Sequence, residues 1–253
     1  MNEVSRAERA LHLRMELACA ASSAAGLPGE FRVWEQSGVL AVLAAGSGLG
    51  FLSTVSGVTR ETVGTAVEVV NASVWNGVRP AVLVSTGLGA AGEALLLAAG
   101  LVRTEDRVLA VRGLDASVPE VQPDVVAAAA VGAFLDVLVA GYGVAGMVAA
   151  FIRAEHELPV MRRFLVLAGG VPVAAAGMTI HQDVAVLGGA STLPAFRGRG
   201  AQSRLLRHRL RLAADAGCAL AVATARPDSV SAANLGRAGF RVLRRSVWLT
   251  PAR

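Results

Sequence analysis

The sequence predicts an α/β (α+β) fold in two similar halves, each a mixed and mostly antiparallel sheet flanked by helices, and three patterns predict it. The first is an internal repeat: Ala81-Val-Leu-Val-Ser-Thr86 returns as Ala219-Leu-Ala-Val-Ala-Thr224, and both read as buried strands. Further on, Leu97-Ala-Ala-Gly100-Leu101 matches Leu235-Gly-Arg-Ala-Gly239-Phe240 when one residue is skipped, each followed by an arginine-bearing strand ending near Val108 or Val247. The second pattern is a run of three strands joined by tight turns, at 162–168, 171–180 and 184–192, which reads as an antiparallel meander. The third is a glycine-arginine turn that leads from the last of these strands into a helix.

Each element has its own reason. In both repeats the glycine, Gly100 or Gly239, stands where a helix C-terminus calls for a left-handed residue. After the meander, Leu206, Leu210 and Ala213 have the spacing of one buried helix face, so a helix is expected from about Ala201 to Ala216. A strand over 219–225, a short helix over 230–238 capped by Asp228 or Ser229 behind Pro227, and a last strand over 241–249 complete the half. Ahead of the meander, helices are expected at roughly 127–140 and 144–157, and the repeat places the boundary between halves near Pro123, giving domains 1–122 and 123–253.

Composition narrows the function. The chain has 253 residues, enough for two ordinary domains. Its 24 basic residues are all arginine, and the net charge of +5 favours anionic ligands without saying which. Aromatic residues make up 4% and none alternates with the arginines as base-stacking platforms would, so a nucleic-acid partner is not expected. Cys19 and Cys218 lack metal-ligand spacing and read as free buried thiols in a reducing compartment, so no metal is expected. The N-terminus mixes acids with bases and has no continuous apolar core of a signal peptide. The apolar run 125–152 carries Asp136 near its middle and is broken by Gly132, Gly141, Gly143 and Gly146, so two buried helices meeting at Gly141-Tyr142-Gly143 are expected instead of a membrane span. A cytoplasmic protein is the resulting expectation.

The chemistry concentrates at Leu193-Pro-Ala-Phe-Arg197-Gly198-Arg199-Gly200-Ala201-Gln202. This turn stands at a helix N-terminus, where the first N–H groups have no intrahelical partner and the macrodipole is positive, so a phosphate can be bound there. Gly198 and Gly200 let the backbone approach the ligand, and Arg197 and Arg199 add charge that suits a diphosphate.

With these residues the sequence resembles the GNAT superfamily of N-acetyltransferases, whose loop runs Gln or Arg, two residues, Gly, one residue, then Gly or Ala. Arg197, Gly200 and position 202 are the matching sites, and position 202 departs from the pattern by holding Gln202. The order of elements from about Ala127 to Val247 also fits, and Asn234 precedes Gly239-Phe240 as an asparagine does in many members. The resemblance implies acetyl-coenzyme A as co-substrate, bound where the strand before the loop splays from its neighbour. It places Thr192 and Leu193 beside the pantetheine and thioester, and Arg197, Gly198, Arg199, Gly200, Ala201, Gln202 and Asn234 among the cofactor contacts. It further implies direct attack by a primary amine, of a small molecule or peptide, with a backbone N–H, that of Leu193, stabilising the oxyanion. Many members place a proton-donating tyrosine where this chain has Leu235. A non-catalytic acyl-coenzyme A binding or sensing module fits the same loop.

Other residues carry weaker signals. Tyr142, the only tyrosine, falls between two helices where the family lines its acceptor pocket, which makes it a catalytic candidate. His181 reads as a turn histidine too far along its strand to serve the loop. Arg204, Arg207 and Arg211 read as a solvated helix face, with Arg204 alone in reach of a cofactor phosphate. In the first half, Ser53-Thr-Val-Ser-Gly57-Val-Thr-Arg-Glu61-Thr-Val-Gly64 has no paired arginines and sets Glu61 in the first turn of its helix, where a carboxylate satisfies the dipole and repels a diphosphate. That half is expected to be a degenerate copy that binds no cofactor.

Overall fold

The last strand of the chain does not lie beside its own half. In the computed structural model, which describes residues 1–114, 124–128 and 130–251, the order is α1 (Glu3–Ala24), β1 (Phe31–Gln36), β2 (Val39–Ala44), β3 (Thr54–Ser56), α2 (Val63–Val70), β4 (Ala81–Val84), α3 (Gly89–Ala98), β5 (Val102–Arg103) and β6 (Arg107–Gly113). It continues with β7 (Val125–Ala127), α4 (Val131–Tyr142), α5 (Gly146–Glu157), β8 (Arg162–Ala168), β9 (Val171–His181), β10 (Val184–Thr192), α6 (Ala201–Asp215), β11 (Leu220–Ala225), α7 (Val230–Arg237) and β12 (Arg241–Leu249). All strands form one sheet in the order β1-β2-β3-β4-β12-β6-β11-β10-β9-β8-β7, with β5 also on β12. Thus β6, from the first half of the sequence, pairs antiparallel with β11 of the second, and β12 pairs antiparallel with both β6 and β4. The two halves exchange their final strands, so neither sheet is complete without the other segment.

The repeat seen in the sequence reappears as topology. β1, β2, β3 and β4 join antiparallel, antiparallel and then parallel, and β8, β9, β10 and β11 do the same. Gly100 and Gly239 both take positive φ, 78° and 79°, at the ends of α3 and α7. The unbroken apolar runs of β2 and β4 are fully buried, as expected of strands covered on both faces.

Three boundaries differ from the sequence expectation. The strand expected to end near Val108 is two, because Thr104–Asp106 interrupts it and β6 carries on to Gly113 alongside β11. The first helix of the second half starts at Val131 instead of about 127, since Val125–Ala127 is drawn into the sheet against β8. Glu61 lies in the turn before α2, which begins at Val63. The expected boundary at Pro123 lies outside the described residues.

Helices cover both faces. On one, α6 and α7 press Leu205, Leu206, Leu210, Ala213 and Leu235 onto Ala174, Ala176, Ala185 and Ala221 of the sheet. On the other, α4 covers Leu165 and Ala175, while α1 sets Ala7 and Ala10 against Leu109, Val184, Val186 and Val222. The helix α1 is capped by Asn2, whose side chain accepts from the N–H of Ser5 at 2.9 Å. Its residues 7, 10, 14 and 18, three or four apart, form one buried stripe, so the first 24 residues pack chiefly on the second half and on β1.

Candidate functional site

Strands β10 and β11 pair only over Val184–Val186 with Leu220–Val222. Beyond that point β10 runs on to Thr192 held by β9 alone, leaving a gap on its other edge. Antiparallel pairing alternates the direction of N–H groups along a strand. The N–H of Leu193 donates to Val173 O at 3.0 Å, continuing the ladder to β9. This corrects the expectation that Leu193 offers the free oxyanion donor: its N–H is spent, and by alternation those of Thr192 and Ala190 point to the gap.

The strand is also bulged between Gly188 and Ala190, where Gly189 takes φ 60°. The adjacent glycines Gly188-Gly189 are the local sequence signal for this bulge. What fills the space beside them comes from far away in sequence. A Cβ at Gly188 would overlap the Arg14 guanidinium of α1, and one at Gly189 would overlap Nε2 of His156 on α5. Arg14 Nε donates to Glu155 Oε1 at 2.7 Å in a buried ion pair. Burial alone would raise the Glu155 carboxyl, but the Arg14 guanidinium, joined by His156 wherever that ring is protonated, outweighs it and holds the group below the usual carboxylate range. Burial pushes His156 the other way, below the ordinary histidine value, so the ring is neutral, with Nδ1 2.9 Å from Ile152 O.

From the opposite face, Arg209 of α6 reaches the same place. Its NH1 donates to Gly177 O at 2.9 Å and its Nε to Leu205 O at 3.1 Å, and Gly177 is the register partner of Gly188. The side chain is 2% exposed, and burial lowers its pKa to about 10.

Tyr142 ends α4 beside the bulge. Gly141 makes the approach possible, since any Cβ there would strike Ser191, whose Oγ donates to Leu138 O at 3.0 Å. The residue is 43% exposed overall, but its hydroxyl is turned inward to the N–H of Ala190, with the charges of Arg14, Glu155 and Arg209 around it. Burial raises its pKa, so it holds its proton at neutral pH.

The glycine-arginine turn closes the other end of the gap. Gly198 and Gly200 take φ 75° and 76°, a region open to glycine, and Gly200 is the N-cap of α6 with no side chain capping it. The first helical bond is Arg204 N to Gly200 O, so the N–H groups of Ala201, Gln202 and Ser203 precede the ladder. The arginines divide their work in a way the sequence did not foretell. Arg197 folds back, donating from Nε to Thr192 O at 3.2 Å and from NH2 to Gly141 O at 2.9 Å, so it ties the turn to α4. Arg199 lies over the Phe196 ring, 5.3 Å from its centroid, and is exposed. Arg204 pairs with Asp124 at 2.7 Å. Asn234 lies on α7, its Oδ1 taken by Arg237, and Leu235 is buried in the core, so no proton donor stands at 235. His181 sits at the far end of β9 against Thr179 Oγ1.

The first half has a matching parallel pair, β3 with β4, but its turn is closed by its own side chains. Thr59 Oγ1 donates to Glu61 Oε2 at 2.6 Å, Thr62 Oγ1 donates to Gly57 O at 2.9 Å, and the Thr59 N–H donates to Thr62 Oγ1 at 2.8 Å. Among the described residues no group of three or more His, Cys, Asp and Glu is placed to hold a metal ion, and no helix is long and apolar enough to cross a membrane.

A mixed sheet with a splayed parallel pair, a bulged strand and a glycine turn opening a helix is the fold of the GNAT acetyltransferases. Residues 133–240 match the model of the acetyltransferase (GNAT) family. A GCN5-related N-acetyltransferase from Kribbella flavida is 22% identical over 92% of this chain and 94% of its own, with a TM-score of 0.60. A GNAT-family acetyltransferase from Colwellia psychrerythraea is 16% identical over 98% and 97%, at 0.56. A tandem GNAT protein from the clavulanic acid biosynthesis pathway is 14% identical over 94% and 89%, also at 0.56. These likenesses span both halves and concern the fold. No curated protein matches the chain.

Proposed function

We propose that the protein is an N-acetyltransferase that moves acetyl from acetyl-coenzyme A to a primary amine of a small molecule or peptide, using one cofactor site in its second half. The observation that carries this reading is the gap beside β10, which opens at one end onto the uncapped N-terminus of α6 and at the other onto the bulge and Tyr142. Pantetheine fits the gap beside Thr192 and Leu193. The diphosphate fits the Gly198–Gly200 turn and the N–H groups of Ala201 and Gln202, with Arg199 as the exposed cation. Asn234, on α7, is the further cofactor contact that the family resemblance implies.

In the reaction the neutral amine attacks the thioester carbonyl, forming a C–N bond while the π pair moves to oxygen. The N–H of Ala190 or Thr192 receives that oxyanion. Collapse breaks the C–S bond and leaves the pair on sulfur. Tyr142 keeps its proton at neutral pH and gives it to the departing thiolate, and the proton lost by the nitrogen passes to solvent, from which the phenol is restored. A cytoplasmic site of action accords with the two free, buried cysteines.

A panel of primary amines incubated with acetyl-coenzyme A and the protein tests this reading. Amine-dependent thiol release with the acetylated amine found by mass spectrometry is expected. Tight cofactor binding without any acetylated product would favour a non-catalytic acyl-coenzyme A sensing module.

A further inference from the structure

The bulge of β10 is the point where β9 and β10 lose register, and a buried cation is installed on it. Gly177 pairs with Gly188 immediately before the bulge, and its carbonyl accepts from Arg209 NH1 at 2.9 Å. Arg209 is 2% exposed, its two recorded hydrogen bonds go to backbone carbonyls, and among the described residues no carboxylate pairs with it. On the other face the Arg14 cation is neutralised by Glu155. The local charge at the bulge is therefore a net positive one, contributed by Arg209. Burying an unmatched guanidinium is costly, and preorganised charge in a site of low dielectric is what stabilises a developing anion.

We infer that Arg209 is a positioning residue for acyl transfer, fixing the bulge through the Gly177 carbonyl and presenting its buried positive charge to the anion that forms on the thioester carbonyl beside Ala190. This rests on the acetyl-transfer reading given above. It also answers a feature of this chain: Leu235 removes the proton donor expected on α7, so more of the stabilisation of negative charge falls to fixed charge around Tyr142 and the bulge. The acid is helped in the same way, since Arg209 lies where its charge lowers the Tyr142 pKa against the effect of burial. Arg209 touches neither substrate nor cofactor, and its effect runs through the bulge and through space.

The test uses the full-length protein, acetyl-coenzyme A and whichever panel amine the wild type acetylates fastest. Arg209→Gln is expected to lower kcat by about 100-fold, the scale of losing one oxyanion-stabilising group, while the calorimetric Kd for acetyl-coenzyme A is unchanged. Arg209→Lys is expected to restore most of kcat and to lose it as pH rises, because a buried lysine has a lowered pKa and then gives up its charge, whereas wild-type arginine keeps its charge up to about pH 10. The groups that share this field, Arg14 on α1, Tyr142 on α4 and Glu155 on α5, are present in both proteins. A folded Arg209→Gln protein with wild-type kcat overturns the inference alone. If Arg209→Gln does not fold, an Arg209→Lys profile that follows the wild type at every pH overturns it. A wild type that acetylates no amine overturns the acetyl-transfer reading and this inference with it.

Discussion

Gly189→Ala should be far more damaging than Gly198→Ala, although both glycines take left-handed φ, 60° and 75°. Placing alanine in that region costs about 1–2 kcal/mol at either position. Around Gly198 nothing lies within 4 Å of the added Cβ, so that strain is the whole effect. At Gly189 the new Cβ overlaps His156 Nε2, on a ring that is 1% exposed, bonded to Ile152 O and stacked on Phe134 at 5.9 Å. Displacing a packed ring adds about 1–3 kcal/mol, for a total of about 2–5 kcal/mol. In a chain of this size each kcal/mol shifts Tm by roughly 2–4 °C, so the two variants separate clearly in urea or thermal melts. The sharper assay is a double-mutant cycle, in which Gly189→Ala is repeated in a His156→Ala background. There its cost should fall to the backbone strain of about 1–2 kcal/mol. An equal cost in both backgrounds would refute the view that the imidazole buttresses the bulge.

Other expectations follow from the same geometry. Because β12 lies between β4 and β6, the chain should unfold in one cooperative step, with coincident transitions by tryptophan fluorescence and circular dichroism, and two separated transitions would contradict the strand exchange. Burial holds His156, and also His12 and His181, below the ordinary value of 6.5, so the unfolded chain binds protons that the folded one refuses as pH falls through 6.5. Stability should therefore decline below that pH and decline further below 4.5, where the salt-bridged Glu155 retains less affinity for protons than its unfolded form; His156→Gln should flatten the first of these slopes, and an unchanged slope would count against a neutral buried ring. Without ligand, Arg197→Ala should lower stability by about 1–2 kcal/mol by deleting its hydrogen bonds to Thr192 O and Gly141 O, while Arg199→Ala should leave Tm nearly unchanged; equal melting of the two would show that Arg197 is not the tie.

The second half was legible because its signals are local. Turn glycines, a cap at Asp228 or Ser229, which the structure resolves to Ser229, and apolar periodicity mark out 162–168, 184–192 and 241–249 to the residue. What the sequence hid depends on segments far apart. Nothing local says that β6 will leave β4 for β11, since an apolar arginine-bearing strand suits either edge. The Arg14–Glu155 pair joins positions 141 residues apart. Arg209 falls on a helix whose other arginines, such as Arg211 with Asp215, do stay at the surface, so only its packing against Gly177 distinguishes it. The Leu193 N–H turns to Val173 O instead of the gap because the alternation along β10 depends on the bulge, whose pairing with β9 is not a local property of the sequence.

The central claim is a single cofactor site, in the second half, built on the N-terminus of α6. The turn before α2 is occupied by Thr59, Glu61 and Thr62, whereas the turn at Gly198–Gly200 leaves its helix uncapped. Titration calorimetry with acetyl-coenzyme A measures this directly. One equivalent per chain is predicted, unchanged in Glu61→Ala and largely lost in Gly200→Val, where a β-branched residue must adopt φ 76° beside the phosphates. Two equivalents per chain, or a Gly200→Val protein that binds as the wild type does, would contradict it.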